Sequence, residues 1–211
     1  SEPPSPDQVV DLLATSDVLG TGWWAADAAA VRPGSTVVVV GDGAVGLMGV
    51  LAAREMGAER IIALSRHETR QKLARDYGAT DIVAERGAEG LARVMDLTKG
   101  VGAHSVLECV GTAEAMDQAL ACCRPGGTVG FVGVPHGIVL TGEQLFFGQR
   151  RMLGGPAPVR RYLPRLMERV LNGELRPGKV FDLDLPLSQV ADGYKAMDER
   201  RAIKVLLRVD A

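Results

Sequence analysis

From Thr36 onward, short runs of consecutive apolar residues alternate with stretches in which apolar residues recur every three or four positions. The runs predict strands at 36–40, 60–64, 81–83, 105–108, 128–132 and 151–153. The periodic stretches predict helices at 45–56, 68–77, 88–98 and 113–122, with a short helix at 142–149. Gly57 and Gly78 follow the first two, where a helix C-terminal signal belongs. Strands that are apolar at every position, not at every second one, are buried on both faces. Six of them separated by helices predict an α/β chain, a doubly wound six-stranded parallel sheet of the Rossmann type.

The two ends break this rhythm. Residues 1–35 hold a helix-like "DQVVDLLATSD" followed by "TGWWAADAAAVRPGS". Residues 159–211 predict a helix at 159–171, a strand-like "KVFDLDL", a helix at 189–197 and an apolar strand at 203–207. Their apolar faces call for cover that a complete Rossmann sheet does not offer. The ends therefore read as flanking helices and strands from an incomplete second domain.

The strand at 36–40 runs into Gly41, Gly43 and Gly46, a Gly-x-Gly-x-x-Gly turn that opens a helix. In such a turn the first glycine permits the bend, the second lets a pyrophosphate approach the backbone, and the third lets the helix pack on the strand. With Ala44 and Val45, the turn presents free N–H groups at the positive end of the helix dipole. Asp42, inside the turn, is expected to face solvent. About 20 residues after such a turn, an NAD-binding chain places a carboxylate on the ribose diol. This chain places Ser65 and Arg66 there. A guanidinium pairs with a 2′-phosphate and stacks on adenine, while Ser65, and Arg70 one helical turn on, add hydrogen bonds. The predicted cofactor is NADP(H), and a methyltransferase, which wants an acid on the ribose, is disfavoured.

Composition narrows the class further. A net charge of −2 gives no electrostatic case for nucleic acid or a membrane surface as partner. No apolar run approaches the roughly 20 residues of a membrane helix. The three cysteines, Cys109, Cys122 and Cys123, form no Cys-x-x-Cys pair. They are expected to pack as small hydrophobes in a reducing, cytoplasmic setting. His67 is placed to approach the 2′-phosphate, whereas His104 and His136 read as loop or surface residues.

The segments "TSDVLGTGWWAAD", "VRPGSTVVVVGDGAVGL", "LECVGT", "RPGGTVGFVGVP" and "MDERRAIKVLLRV" together resemble the zinc-dependent medium-chain alcohol dehydrogenases, in order along essentially the whole chain. The resemblance implies a GroES-like catalytic domain interrupted by a Rossmann domain. Residues 1–21 would end the first part of the catalytic domain, 22–157 form the NADP-binding domain, and 158–211 return to the catalytic domain. It implies that Asp17 is a catalytic zinc ligand, and that Thr21 packs at the catalytic site against the nicotinamide, with Val45 behind the ring. Val110 and Gly111 would line the adenosine. Backbone groups of Val132, Gly133, Val134, Gly155 and Ala157 would hold the nicotinamide and its carboxamide, and Lys204 the pyrophosphate. Taken without the resemblance, Asp17 and Thr21 read as helix caps and Lys204 as an exposed strand lysine.

The family's other zinc ligands, a Cys and the His of a Gly-His-Glu motif, do not occur in this sequence. The resemblance thus implies the C-terminal portion of a longer NADP-dependent zinc enzyme that interconverts a small alcohol and its carbonyl. That enzyme would be a homodimer or homotetramer paired through sheet edges, while this portion alone is expected to be inactive. A zinc-free quinone or enoyl reductase of the same superfamily and a non-catalytic NADP-sensing module are the alternative readings.

Overall fold

Four consecutive valines set the plan of the molecule. Val37 and Val39 are buried in one core, Val38 and Val40 in another. This is the period-2 alternation of a strand covered on both faces. The computed structural model describes residues 3–209. Strands β1 (Thr36–Val40), β2 (Arg60–Leu64), β3 (Asp81–Val83), β4 (Ala103–Glu108), β5 (Cys123–Phe131) and β6 (Arg151–Gly154) form one sheet in the order β3-β2-β1-β4-β5-β6. Every neighbouring pair is parallel. This is the Rossmann order.

Helices α1 (Pro6–Thr15) and α2 (Val18–Ala28) precede the sheet. Within it lie α3 (Ala44–Glu55), α4 (Glu68–Tyr77), α5 (Gly87–Leu97), α6 (Ala113–Cys122) and a single turn, α7 (Gly142–Phe146). The chain then adds α8 (Val159–Leu171), β7 (Phe181–Pro186), α9 (Val190–Asp198) and β8 (Lys204–Arg208), with β7 and β8 paired in a separate parallel sheet. Residues of α3 and α4 line one core and residues of α5 and α6 the other.

Two differences from the sequence expectation have physical causes. Strand β5 begins at Cys123, inside "CRPGG", because Cys123 pairs with Ala103 across a register irregularity. Pro and Gly there read locally as a loop, and only the neighbouring strand makes them a strand. His104 lies on β4, where its Nδ1 accepts the Thr36 N–H at 3.0 Å. It is half-buried, and partial burial together with Arg124 and Arg32 lowers its pKa.

The ends find much of their cover on the Rossmann sheet and its helices, more than the sequence led one to expect that sheet to offer. Ala14, Leu19, Leu166 and Val180 are buried in the same core as Val37 and Leu47. Helix α2 approaches α3 and β5 closely because a glycine, Gly22 of α2 and Gly130 of β5, stands at each of these two contacts. A Cβ on Gly22 would stand 2.6 Å from the Met48–Gly49 backbone, and one on Gly130 would stand 2.2 Å from the Ala25 carbonyl. Arg169 of α8 donates to Glu55 of α3 at 2.6 Å and to Glu174 at 2.9 Å. The C-terminal segment from β7 onward is less well covered, with Tyr194 on α9 and Val209 after β8 exposed. No helix among the described residues is long and apolar enough to cross a membrane.

Leu107 of β4 is 0% exposed and belongs to the first core, whereas Val101 is 55% exposed. Leu107→Ala should destabilise the fold by about 2–5 kcal/mol. Val101→Ala should stay within about 0.5 kcal/mol, both read from urea unfolding.

Candidate nucleotide-binding cleft

Strands β1 and β4 are neighbours from which the chain winds in opposite directions, so a crevice opens beyond their carboxyl ends. A cleft of about 1100 Å³ lies there, at the upper end of the size of small-molecule sites. Its walls come from the ends of four strands: Gly41 to Gly43 after β1, Ser65 and Arg66 after β2, Ala84 to Arg86 after β3, and Cys109 and Val110 after β4. Helix α6 and residues at the end of α9, including Arg200, close it.

The glycine turn has the geometry its spacing predicts. Gly41 adopts φ +113, open to glycine and strained for other residues. A Cβ on Gly46 would stand 2.0 Å from the Gly41 carbonyl oxygen, so only glycine lets α3 start this close to the strand end. A Cβ on Gly43 would meet nothing within 4 Å, which leaves the space over the turn open. Gly43 caps α3 without a side-chain bond, so the first N–H groups of the helix, at Ala44 and Val45, have no side-chain acceptor.

Beneath this turn lies a buried ion pair that the sequence did not reveal. Asp42 is 8% exposed and does not face solvent, contrary to expectation. Its Oδ2 accepts from Ser65 Oγ at 2.8 Å, and its Oδ1 accepts from Arg70 Nη1 at 3.2 Å. Arg70, 7% exposed, also donates through Nη2 to the Ala202 carbonyl at 3.3 Å. Ser65 and Arg70 border the cleft, but their polar groups are committed to Asp42, which changes the role expected of them as phosphate donors. Arg66 is exposed on the cleft, and among the described residues it makes no ion pair. His67 lies outside the lining, partly buried at the start of α4.

A second buried carboxylate holds the far side. Glu108, 0% exposed, accepts from the N–H groups of Val110 and Gly111, both at 2.7 Å. Its own carbonyl accepts from Val132 N–H at 2.9 Å and from Gly133 N–H at 3.3 Å. Glu108 therefore fixes Val110 and Gly111 against the segment after β5. A Cβ on Gly111 would stand 2.2 Å from the Val134 carbonyl oxygen. The signal in the sequence was a lone acid closing the apolar run "SVLE".

The remaining predicted residues lie outside this cleft. Val132 is half-buried and Val134 exposed after β5, and Gly155 donates to the Phe131 carbonyl at 2.9 Å with Ala157 two residues on. Lys204 stands on β8, its Nζ 6.0 Å from the centroid of the Phe181 ring. Asp17 is exposed at the start of α2 and caps no backbone N–H; its Oδ1 accepts from Thr21 Oγ1 at 3.3 Å. Val45 is half-buried against the first core. All three cysteines are free, with Cys122 and Cys123 buried.

The family profile described as zinc-binding dehydrogenase matches residues 44–172. The chain belongs to the zinc-binding dehydrogenase family. A probable zinc-binding alcohol dehydrogenase of Mycobacterium tuberculosis is 37% identical over 205 residues, covering 94% of this chain and 52% of the relative. The NADP-dependent isopropanol dehydrogenase of Clostridium beijerinckii is 38% identical over 119 residues, covering 56% of this chain and 34% of that protein. Among solved structures, an alcohol dehydrogenase from Thermus sp. ATN1 superposes with a TM-score of 0.89 at 33% identity, covering 99% of this chain and 60% of that one. The chain thus spans about half the length of the curated full-length relatives it matches.

The family's metal has no complete site here. Among the described residues no three of His, Cys, Asp and Glu group to hold an ion, and a catalytic zinc needs three protein ligands. Asp17 alone does not make such a site.

Replacing Asp42 with Ala would strand the buried Arg70 charge. Asp42→Ala should cost about 3–5 kcal/mol in urea unfolding, with part of the loss recovered in the Asp42→Ala/Arg70→Met double variant.

Proposed function

We propose that this chain is the cofactor-binding portion of an NADP-dependent zinc alcohol dehydrogenase that interconverts a small alcohol and its aldehyde or ketone. The observation that carries the cofactor choice is Arg66, an exposed guanidinium on the cleft at the carboxyl end of β2. A carboxylate at that point would accept from a ribose diol and repel a 2′-phosphate; a guanidinium reverses both effects. The relative named as NADP-dependent supports the same choice.

In this reading the N–H groups at Gly43, Ala44 and Val45 bind the pyrophosphate. Arg66 pairs with the 2′-phosphate, and Val110 and Gly111, held by Glu108, flank the adenosine. Backbone groups at Val132, Gly133, Val134, Gly155 and Ala157 orient the nicotinamide end beside Thr21, and Lys204 serves the pyrophosphate. The nicotinamide, when bound, supplies the hydride acceptor or donor. Asp17 is the one zinc donor assigned to this chain. The described residues do not complete a metal site, so the chemical step on the alcohol is assigned to residues beyond this chain. The whole enzyme is read as a cytoplasmic homodimer or homotetramer, with the β6 edge, where Leu153 is 52% exposed, as the pairing surface.

Titrating the 211-residue chain with NADPH and NADH, followed by quenching of Trp23 and Trp24, tests the cofactor choice. A charge-assisted bond of about 1.5–3 kcal/mol predicts NADPH binding tighter by about tenfold or more, and Arg66→Asp should abolish that preference. Equal binding of the two would overturn it. The chain alone should oxidise no alcohol with or without added zinc, and zinc-dependent turnover would overturn its assignment as the cofactor portion only.

A further inference from the structure

Two arginines on the cleft that the sequence analysis did not single out occupy positions where helix-end physics favours other residues. Arg86 is the N-cap of α5, with φ −125 and no side-chain cap bond. Ser, Thr, Asp and Asn are the residues that stabilise an N-cap, and a cation there opposes the helix dipole. Arg200 follows the C-cap of α9 at φ +60. Its N–H donates to the Met197 carbonyl at 3.0 Å, and the Arg201 N–H donates to the Ala196 carbonyl at 2.8 Å. That bond pair is the Schellman closure, whose left-handed residue is usually glycine. Helix α4 ends in this way at Gly78, with φ +116. Both arginines thus stand against local preference, and such departures gather at functional sites.

Both also line the cleft that Arg66 borders. Arg66, Arg86 and Arg200 line one cleft, all three are exposed to it, and among the described residues none of them makes an ion pair. Desolvation, then the charges of Arg66 and Arg200, hold the Arg86 pKa below its ordinary value, with Asp42 opposing. Asp42 is already bonded to Ser65 and Arg70. Of the other acids on the cleft, Glu85 is exposed immediately before Arg86, Glu114 and Asp117 stand on α6, and Asp198 ends α9. The charged groups that act on Arg86 are Arg66, Asp42 and Arg200.

We propose that Arg86 and Arg200 complete the 2′-phosphate site with Arg66, so that three guanidiniums from the ends of β2, β3 and α9 enclose the dianion while Arg70 serves as its buried support. This rests on the NADP reading above. It adds that discrimination between the two cofactors depends on the C-terminal segment as well as on the Rossmann unit. The phosphate relieves mutual repulsion among the three cations, and in return each contributes charge-assisted bonds.

The test uses variants that give each position the residue its helix end prefers, Arg86→Ser and Arg200→Gly. Calorimetric titration with adenosine 2′,5′-bisphosphate and with AMP reads the phosphate contribution, and urea unfolding reads the fold. Wild type should prefer the bisphosphate, and each variant should lower the bisphosphate-to-AMP affinity ratio by about tenfold. Each variant's urea midpoint should hold or rise. A ratio that stays put in either variant overturns that arginine's part, and a fall in midpoint overturns the claim that it stands against the fold. If wild type discriminates and neither variant moves the ratio, this inference alone fails. A wild type that binds both probes equally removes the NADP reading with it.

Discussion

The contact on which the rest of the structure depends is made without side chains. Where a Cβ on Gly46 would lie 2.0 Å from the Gly41 carbonyl, the first turn of α3 rests directly on the end of β1. That closeness aims the helix N-terminus into the crevice at the switch point, where the sheet reverses its winding. It also fixes the height of α3 over the sheet. Helix α2 then settles on α3 through Gly22, and Arg169 of α8 reaches Glu55 at the far end of the same helix. A larger residue at position 46 would displace the floor of the cleft and the seat of both end segments together.

Around that contact the polar groups form two buried supports. Asp42, Ser65 and Arg70 brace the turn from below, and Arg70 continues to the Ala202 carbonyl in the C-terminal segment. Glu108 braces the opposite side by holding the N–H groups of Val110 and Gly111. Asp42 has both carboxylate oxygens bonded, whereas Glu108 takes both N–H groups on Oε1 and leaves its buried Oε2 without a hydrogen-bond partner among the described residues. Here the bonds also hold backbone in place, so the cleft walls are positioned before any ligand arrives. The Asp42–Arg70 pair explains why a carboxylate is acceptable inside the glycine turn: its charge is balanced by a guanidinium held 3.2 Å away.

The end segments show how a domain can be closed by chain from another part of the sequence. Helices α1, α2 and α8 share one core with the sheet, while β7 and β8 form a separate small sheet beside which Tyr194 of α9 and Val209 remain exposed. This division fits a family in which the chain spans about half of its relatives' length, and it places the better covered part of the ends against the Rossmann unit.

By itself, the sequence determined the parts of this protein that rest on local rules. Unbroken apolar runs require burial on both faces, glycine spacing marks the turn, and Ser65-Arg66 sets the charge at the end of β2. Those features depend on neighbours along the chain and could be read from it. Tertiary structure alone decided the fate of groups whose partners lie far away. Asp42 reads as a solvent-facing acid until Arg70, 28 residues on, is folded over it. Glu108 reads only as the last residue of a strand until the loop after β5 meets it, and nothing in the sequence marks Arg200, which the turn after α9 brings to the cleft. Charge and hydrogen bonding act through space, and no local pattern records which distant chain will supply the partner.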